Sequence, residues 1–247
     1  LETMQPVYDF IDAHTDEPFL IWFAPKLPHV PHKPPGEYRR LYANAGLNNA
    51  ARLYYGMCSW FDALAGDLLA HLDAKGLREN TIVVFLADNG WDQPPEKEFR
   101  PWRHDILLGG PKGKHSPYEL GLRTPLVVSW PGTLAAGRVS PELVSVLDLM
   151  PTLLDYAGLA KPEGRIGQSL RPLLEGGADP LHEELVSAMS GFRPKQEWPP
   201  SPAETAIGLL EEDVYSVRTR KWGYVYYVTR GVEELYDLAA DPRQEHD

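Results

Sequence analysis

The sequence predicts an α/β fold: a largely parallel sheet flanked by helices, followed by a small antiparallel sheet. Three observations carry that expectation. Residues 18–24 and 81–87 are uncharged runs rich in β-branched and aromatic side chains, the pattern of strands buried on both faces of a central parallel sheet. Between them lies a long amphipathic segment closed by Gly76, which makes a strand, helix, strand crossover. From residue 185 onward, short runs alternate between apolar and polar residues, as half-solvated antiparallel strands do. The expected division is therefore residues 1–184 as an α/β domain and 185–247 as a small C-terminal subdomain.

Composition narrows the function classes. A chain of 247 residues, 43% hydrophobic, has enough apolar material for a sizeable core. The formal charge of −11, from 24 basic and 35 acidic residues, argues against nucleic-acid or anionic-membrane binding through a general basic face. The single cysteine, Cys58, excludes an internal disulfide framework and a Cys-rich zinc site. No apolar run approaches the roughly 20 residues of a spanning helix.

In chain order, residues 2–13 carry apolar Met4, Val7, Tyr8, Phe10 and Ile11 and read as a short helix. The first strand candidate, 18–24, runs into a stretch with five prolines in eleven residues, 25–35. Such a stretch forbids regular structure and makes a stiff loop. Leu53, Met57, Trp60, Leu64, Leu68 and Leu72 recur every three or four positions, one face of a helix over 50–75. At 1.5 Å per residue it is roughly 39 Å long, enough to cross a sheet. Cys58 lies beside that stripe with no base adjacent in sequence, and reads as packing. Residues 126–130 form the next strand, 144–156 a helix with Asp148 as its N-cap. The closing strands are 185–189, 214–219, 221–228 and 233–238.

Candidate functional residues gather at strand ends. Asp88 and Asn89 follow directly on the 81–87 strand. Ligands of open α/β sheets bind beyond the carboxyl ends of strands, and tandem oxygen side chains there suit Ca²⁺ or Mg²⁺. Asp-Asn-Gly is equally good turn chemistry. The proline-rich loop places His29 and His32 just past the end of the first strand candidate, where an imidazole has no core to satisfy. Lys112 and Lys114 stand among glycines, but Gly113-Lys114 is followed by His115 rather than Ser or Thr, so the nucleotide-binding loop pattern fails. Trp102 and His104 belong to a long loop, 91–110, and read as surface residues or substrate contacts.

Five blocks in order, LIWFAPKLPHVPHKPP, RENTIVVFLADNG, GKHSPYELGLRTP, VLDLMPTLLDYAG and KWGYVYY with ELYDLAADPRQEHD, resemble the C-terminal two-thirds of a sulfatase, in the alkaline-phosphatase-like superfamily. The resemblance implies that Asp88 and Asn89 coordinate Ca²⁺. It implies that Lys114 holds the sulfate and the leaving-group oxygen, and that His29 contacts the bridging oxygen. His32 stays a substrate-side or structural candidate. A cation, a fixed ammonium and a proton donor around one tetrahedral group suit sulfate-ester cleavage.

The family's nucleophile is a formylglycine made from a Cys/Ser-x-Pro-x-Arg motif, accompanied by an Asp-Asp metal pair. Neither occurs here: Cys58 is followed by Ser-Trp-Phe-Asp, and no Asp-Asp pair exists. The resemblance therefore implies a partial sulfatase whose N-terminal segment is missing and which is inactive alone, with sulfated sugars or aryl sulfates as substrates. A phosphonate or phosphodiester hydrolase of the same superfamily, and a non-catalytic binding relative, are the alternatives.

Overall fold

A computed structural model describes residues 4–90, 112–114, 116–192, 212–244 and 246–247. They divide into two compact units, one built from residues up to 83 with 129–133, the other from the remainder. Trp102, His104 and the loop at 193–201 lie outside the described residues.

The first unit is helical. α1 (Gln5–Ala13), α2 (Gly36–Leu41) and α3 (Asn49–Ala74) are packed through a small set of side chains. Asn48 caps α3 by accepting the Ala51 N–H at 2.8 Å, as short polar side chains do for the orphan donors of a first turn. At the other end Gly76, with φ +68°, closes a Schellman turn: Gly76 N–H bonds Asp73 O and Leu77 N–H bonds Leu72 O. Asp12 of α1 accepts from His71 of α3 and from Lys75 at its C-cap, each at 2.8 Å, and the Tyr8 ring stacks on His71.

Residues 18–24 are not a strand. Their exposure alternates, with Leu20 78% and Trp22 87% exposed, but they join no ladder among the described residues. The period-two pattern records two faces; a strand also needs a hydrogen-bonding neighbour.

In the second unit β1 (Val83–Leu86) and β2 (Leu126–Ser129) form a two-stranded sheet, its outermost residues Val83 and Ser129 belonging to the first unit. The largely parallel sheet is not seen among the described residues. Nor is β1 buried on both faces, since Phe85 is 37% exposed: apolar composition sets a preference for cover without supplying it. α4 (Glu119–Leu122) lies between the two strands in sequence, and α5 (Leu149–Tyr156) and α6 (Arg171–Leu174) follow β2.

Asp148 stands at the N-cap position of α5, but its side chain caps no N–H of that helix. It is wholly buried, and its carboxylate accepts the N–H of Ser145 at 2.7 Å and of Gln168 at 2.9 Å, with His182 Nε2 at 2.9 Å. Ser145 caps the 3-10 turn Val146–Asp148 in return, a reciprocal capping box.

The last four strands, β3 (Glu184–Phe192), β4 (Glu212–Thr219), β5 (Trp222–Tyr227) and β6 (Val232–Asp237), pair antiparallel in sequence order. Val214, Val225, Tyr227, Tyr236 and Leu238 make the core of the inner face, joined by Tyr118 from the segment between β1 and β2. The Tyr118 hydroxyl meets Tyr227 Oη at 2.6 Å and donates to Glu234 Oε2 at 2.7 Å, while Tyr236 donates to the same Glu234 oxygen at 2.8 Å. Burial, then the hydrogen bonds to Tyr227 and Glu234, hold Tyr118 protonated well above the ordinary phenol range; Tyr236 is raised by burial and by Glu234.

Asp148→Ala strands buried donors and should cost about 3 kcal/mol of stability, read from urea unfolding. Because Tyr118 and Tyr236 titrate higher folded than unfolded, the stability they contribute is intact below pH ~10 and falls as pH rises past it. Tyr118→Phe should flatten that alkaline slope in denaturation curves collected from pH 8 to 11.

Candidate active site

The end of β1 meets the lysine-bearing segment through backbone. Gly90 N–H bonds Gly121 O at 3.0 Å, and a Cβ on Gly90 would stand 2.2 Å from Leu120 O. Gly121 is pressed as closely from the other side: a Cβ there would lie 2.6 Å from Gly113 O and 2.5 Å from Ser116 O. Only glycine permits two main chains to approach so far. Thr124 adds a third tie, donating to Ala87 O at 3.0 Å. Asp88-Asn89 and the turn that carries Lys114 are thereby fixed to one another within the second unit.

Each expected site residue has a definite setting. Asp88 is exposed and Asn89 half-buried, at the carboxyl end of β1 as its sequence position implies. Asn89 Nδ2 donates to Gly90 O at 3.0 Å, which commits the amide nitrogen and leaves the side-chain oxygen for a cation. A carboxylate and an amide oxygen in sequence are donors of the kind that hard cations take. Two are too few for a site, however, and among the described residues no three His, Cys, Asp or Glu side chains cluster around a metal position. Lys114 is buried, with 9% of its surface exposed. The turn around it is tight, Ser116 Oγ donating to Gly113 O at 2.5 Å.

His29 lies in the first unit, on the proline-rich loop. Its Nδ1 bonds Val30 O at 2.7 Å, so Nδ1 carries the proton and Nε2 is the atom left for a ligand. His32 packs edge-on against Tyr54 of α3, ring centroids 5.4 Å apart, which places it as a loop-to-helix contact. Pro34 of the same loop sits against Gly56, where a Cβ would approach Pro34 Cγ to 2.9 Å. Cys58 is half-buried; burial pushes its thiol up, away from the thiolate that a nucleophile requires.

Reasoning from sequence missed the residues that hold this segment. Lys112, Tyr118, Glu234 and Gln244 converge on it from positions more than a hundred residues apart. Their one local signal is the density of chemistry-bearing residues around Gly113 and in the closing DLAADPRQEHD block.

Arylsulfatase K of Bos taurus is 29% identical over 203 residues, covering 79% of this chain and 32% of that protein. Among solved structures, Ps i-CgsB superposes with a TM-score of 0.74 at 22% identity, over 98% of this chain and 49% of its own, a likeness of fold. The phosphonate monoester hydrolase of Agrobacterium radiobacter matches at 25% identity with a TM-score of 0.60, over 80% of this chain and 36% of its own. The chain thus spans about a third of the length of that curated relative and about half that of Ps i-CgsB. Residues 113–247 fit the model of the N-sulphoglucosamine sulphohydrolase C-terminal region. Residues 2–159 fit the general sulfatase model, whose members use a metal and a formylglycine, and with both halves of the sequence so matched, on an alkaline-phosphatase-like fold, the chain belongs to the sulfatase family.

Proposed function

We propose that this chain is the downstream part of a sulfuric ester hydrolase acting on sulfated sugars or aryl sulfates. The observation that carries the reading is the glycine contact that fixes Lys114 to the Asp88-Asn89 turn. It supports a site in which the Lys114 ammonium holds a sulfate oxygen and the leaving-group oxygen, while Asp88 and Asn89 hold Ca²⁺, or Mg²⁺ in its place. The ion, when bound, supplies positive charge to the non-bridging oxygens. Lys114 would meet the charge that grows on the bridging oxygen as the S–O bond breaks, and a fixed cation in a buried setting acts there without reorganising.

Ca²⁺ takes six to eight oxygens, more than Asp88 and Asn89 supply, and we assign the family's Asp-Asp pair and formylglycine motif, neither of which occurs in residues 1–247, to a segment outside them. That segment also completes the largely parallel sheet to which β1 and β2 belong. On this reading residues 1–184 are part of the catalytic α/β domain, and 185–247 are a subdomain that braces it. Family names carrying N-sulphoglucosamine and aryl sulfate favour the two substrate classes. The likeness to a phosphonate monoester hydrolase supports a second reading, hydrolysis of phosphonate monoesters or phosphodiesters on the same scaffold.

A peptide map by mass spectrometry of the protein from its native source should contain a Cys/Ser-x-Pro-x-Arg peptide upstream of Leu1, its first residue converted to the aldehyde. A native chain beginning at Leu1 would overturn the reading. In the protein that carries this peptide, Lys114→Ala should lower kcat/KM for an aryl sulfate by about 10²- to 10³-fold. A faster rate on phosphodiesters than on sulfate esters would select the second reading. The 247-residue chain alone, given Ca²⁺ and an aryl sulfate, should show no turnover above background.

A further inference from the structure

The segment that carries Lys114 is fastened on both sides by one distant residue. Gln244 is 2% exposed and has the left-handed φ of +56°, a conformation that few residues with a Cβ adopt. Its side-chain oxygen accepts the Glu119 N–H at 2.6 Å. Its main-chain oxygen accepts from the Lys112 ammonium, which also bonds Tyr236 Oη at 3.2 Å and stands 4.5 and 4.6 Å above the rings of Tyr118 and Tyr236. Lys112 and Glu119 bracket Lys114 in sequence, so Gln244 closes a bridge across the turn. Glu119 is further held by Arg218 of β4, Nε to Oε1 at 2.7 Å.

We propose that Gln244 and Lys112 are positioning residues for Lys114, a latch by which the C-terminal subdomain sets the place of the sulfate-binding ammonium. The proposal rests on the reading of Lys114 as a sulfate ligand. Neither residue touches substrate: Lys112 is committed to the tyrosine rings and to a carbonyl, and Gln244 to a main-chain donor. The bonds that fix the segment from the C-terminal side go to residues on either side of Lys114. Loss of either one frees the turn while the sheet core of Val214, Val225, Tyr227 and Leu238 stays packed.

Reductive methylation of the intact chain, followed by mass spectrometry, measures the reactivity of Lys114 against exposed Lys33 as an internal reference. Gln244→Ala should raise the Lys114 rate relative to Lys33 about tenfold, the factor that one buried hydrogen bond supplies. Gln244→Glu, which keeps an oxygen acceptor, should restore it. Lys112→Met, with a stem of similar length and no donor, should raise it likewise, and provides the test if Gln244→Ala does not fold.

Lower thermal stability with an unchanged Lys114 rate in both variants would overturn the proposal, leaving the latch a stabilising contact only. Inorganic sulfate added to the wild-type protein that carries the formylglycine peptide should slow Lys114 labelling. If sulfate gives no protection while the variants still raise the rate, it is the functional reading of Lys114 that fails, rather than the latch.

Discussion

The second unit depends on the approach of two main chains, Gly90 against Leu120-Gly121. A single N–H···O bond of 3.0 Å joins them, and the 2.2 Å clearance from a hypothetical Gly90 Cβ to Leu120 O leaves room for hydrogen alone. Everything proposed for the site follows from that clearance. The strand delivers Asp88-Asn89 to its carboxyl end, and the contact brings the lysine turn to the same place. Side chains play little part in this join. It therefore tolerates variation in its neighbours and none in its glycines.

Behind the glycine contact stands a layer of phenols. Tyr118 and Tyr236 share Glu234 through short hydrogen bonds, Tyr227 bonds the Tyr118 hydroxyl, and the Lys112 ammonium lies against the rings of Tyr118 and Tyr236. A carboxylate placed among these groups is compensated by donors on several sides, the condition under which a buried polar cluster fixes one arrangement in preference to others. The small sheet is thus the foundation on which the lysine turn rests. Its inner face holds Tyr118 as one of its own core residues.

What the sequence made legible was local. The helix expected over 50–75 is Asn49–Ala74, because an apolar residue every three or four positions and a closing glycine are signals carried by the local sequence itself. The four closing strands lie within two residues of their expected starts and ends, apart from the extension of β3 to Phe192, since alternation and turn residues mark them. Asp88 and Asn89 stood at a strand end for the same reason. Residues 18–24 show the limit: their alternation is real, with Leu20 and Trp22 turned outward, but pairing is a property of two segments. The supports of Lys114 were illegible for a related reason. No periodicity links Lys112 or Glu119 to Gln244, and their meeting is decided by the whole antiparallel sheet. Asp148 was half read, its capping position being local and its bonds to Gln168 and His182 being not.

The span of the Gln244 bridge sets an order of events in synthesis. Residues 112–119 leave the ribosome long before residue 244, at about 5–20 residues per second. Until that residue emerges, the Glu119 N–H and the Lys112 ammonium lack the acceptors that define the turn. The strand and long helix can form early from their own neighbours; the lysine turn is among the last features to set. During that interval the nascent chain carries Lys112, Lys114 and Glu119 without their final spacing. Premature release, or a ribosome stalled shortly before residue 244, yields a protein with helices and strands in place and its lysine turn still open.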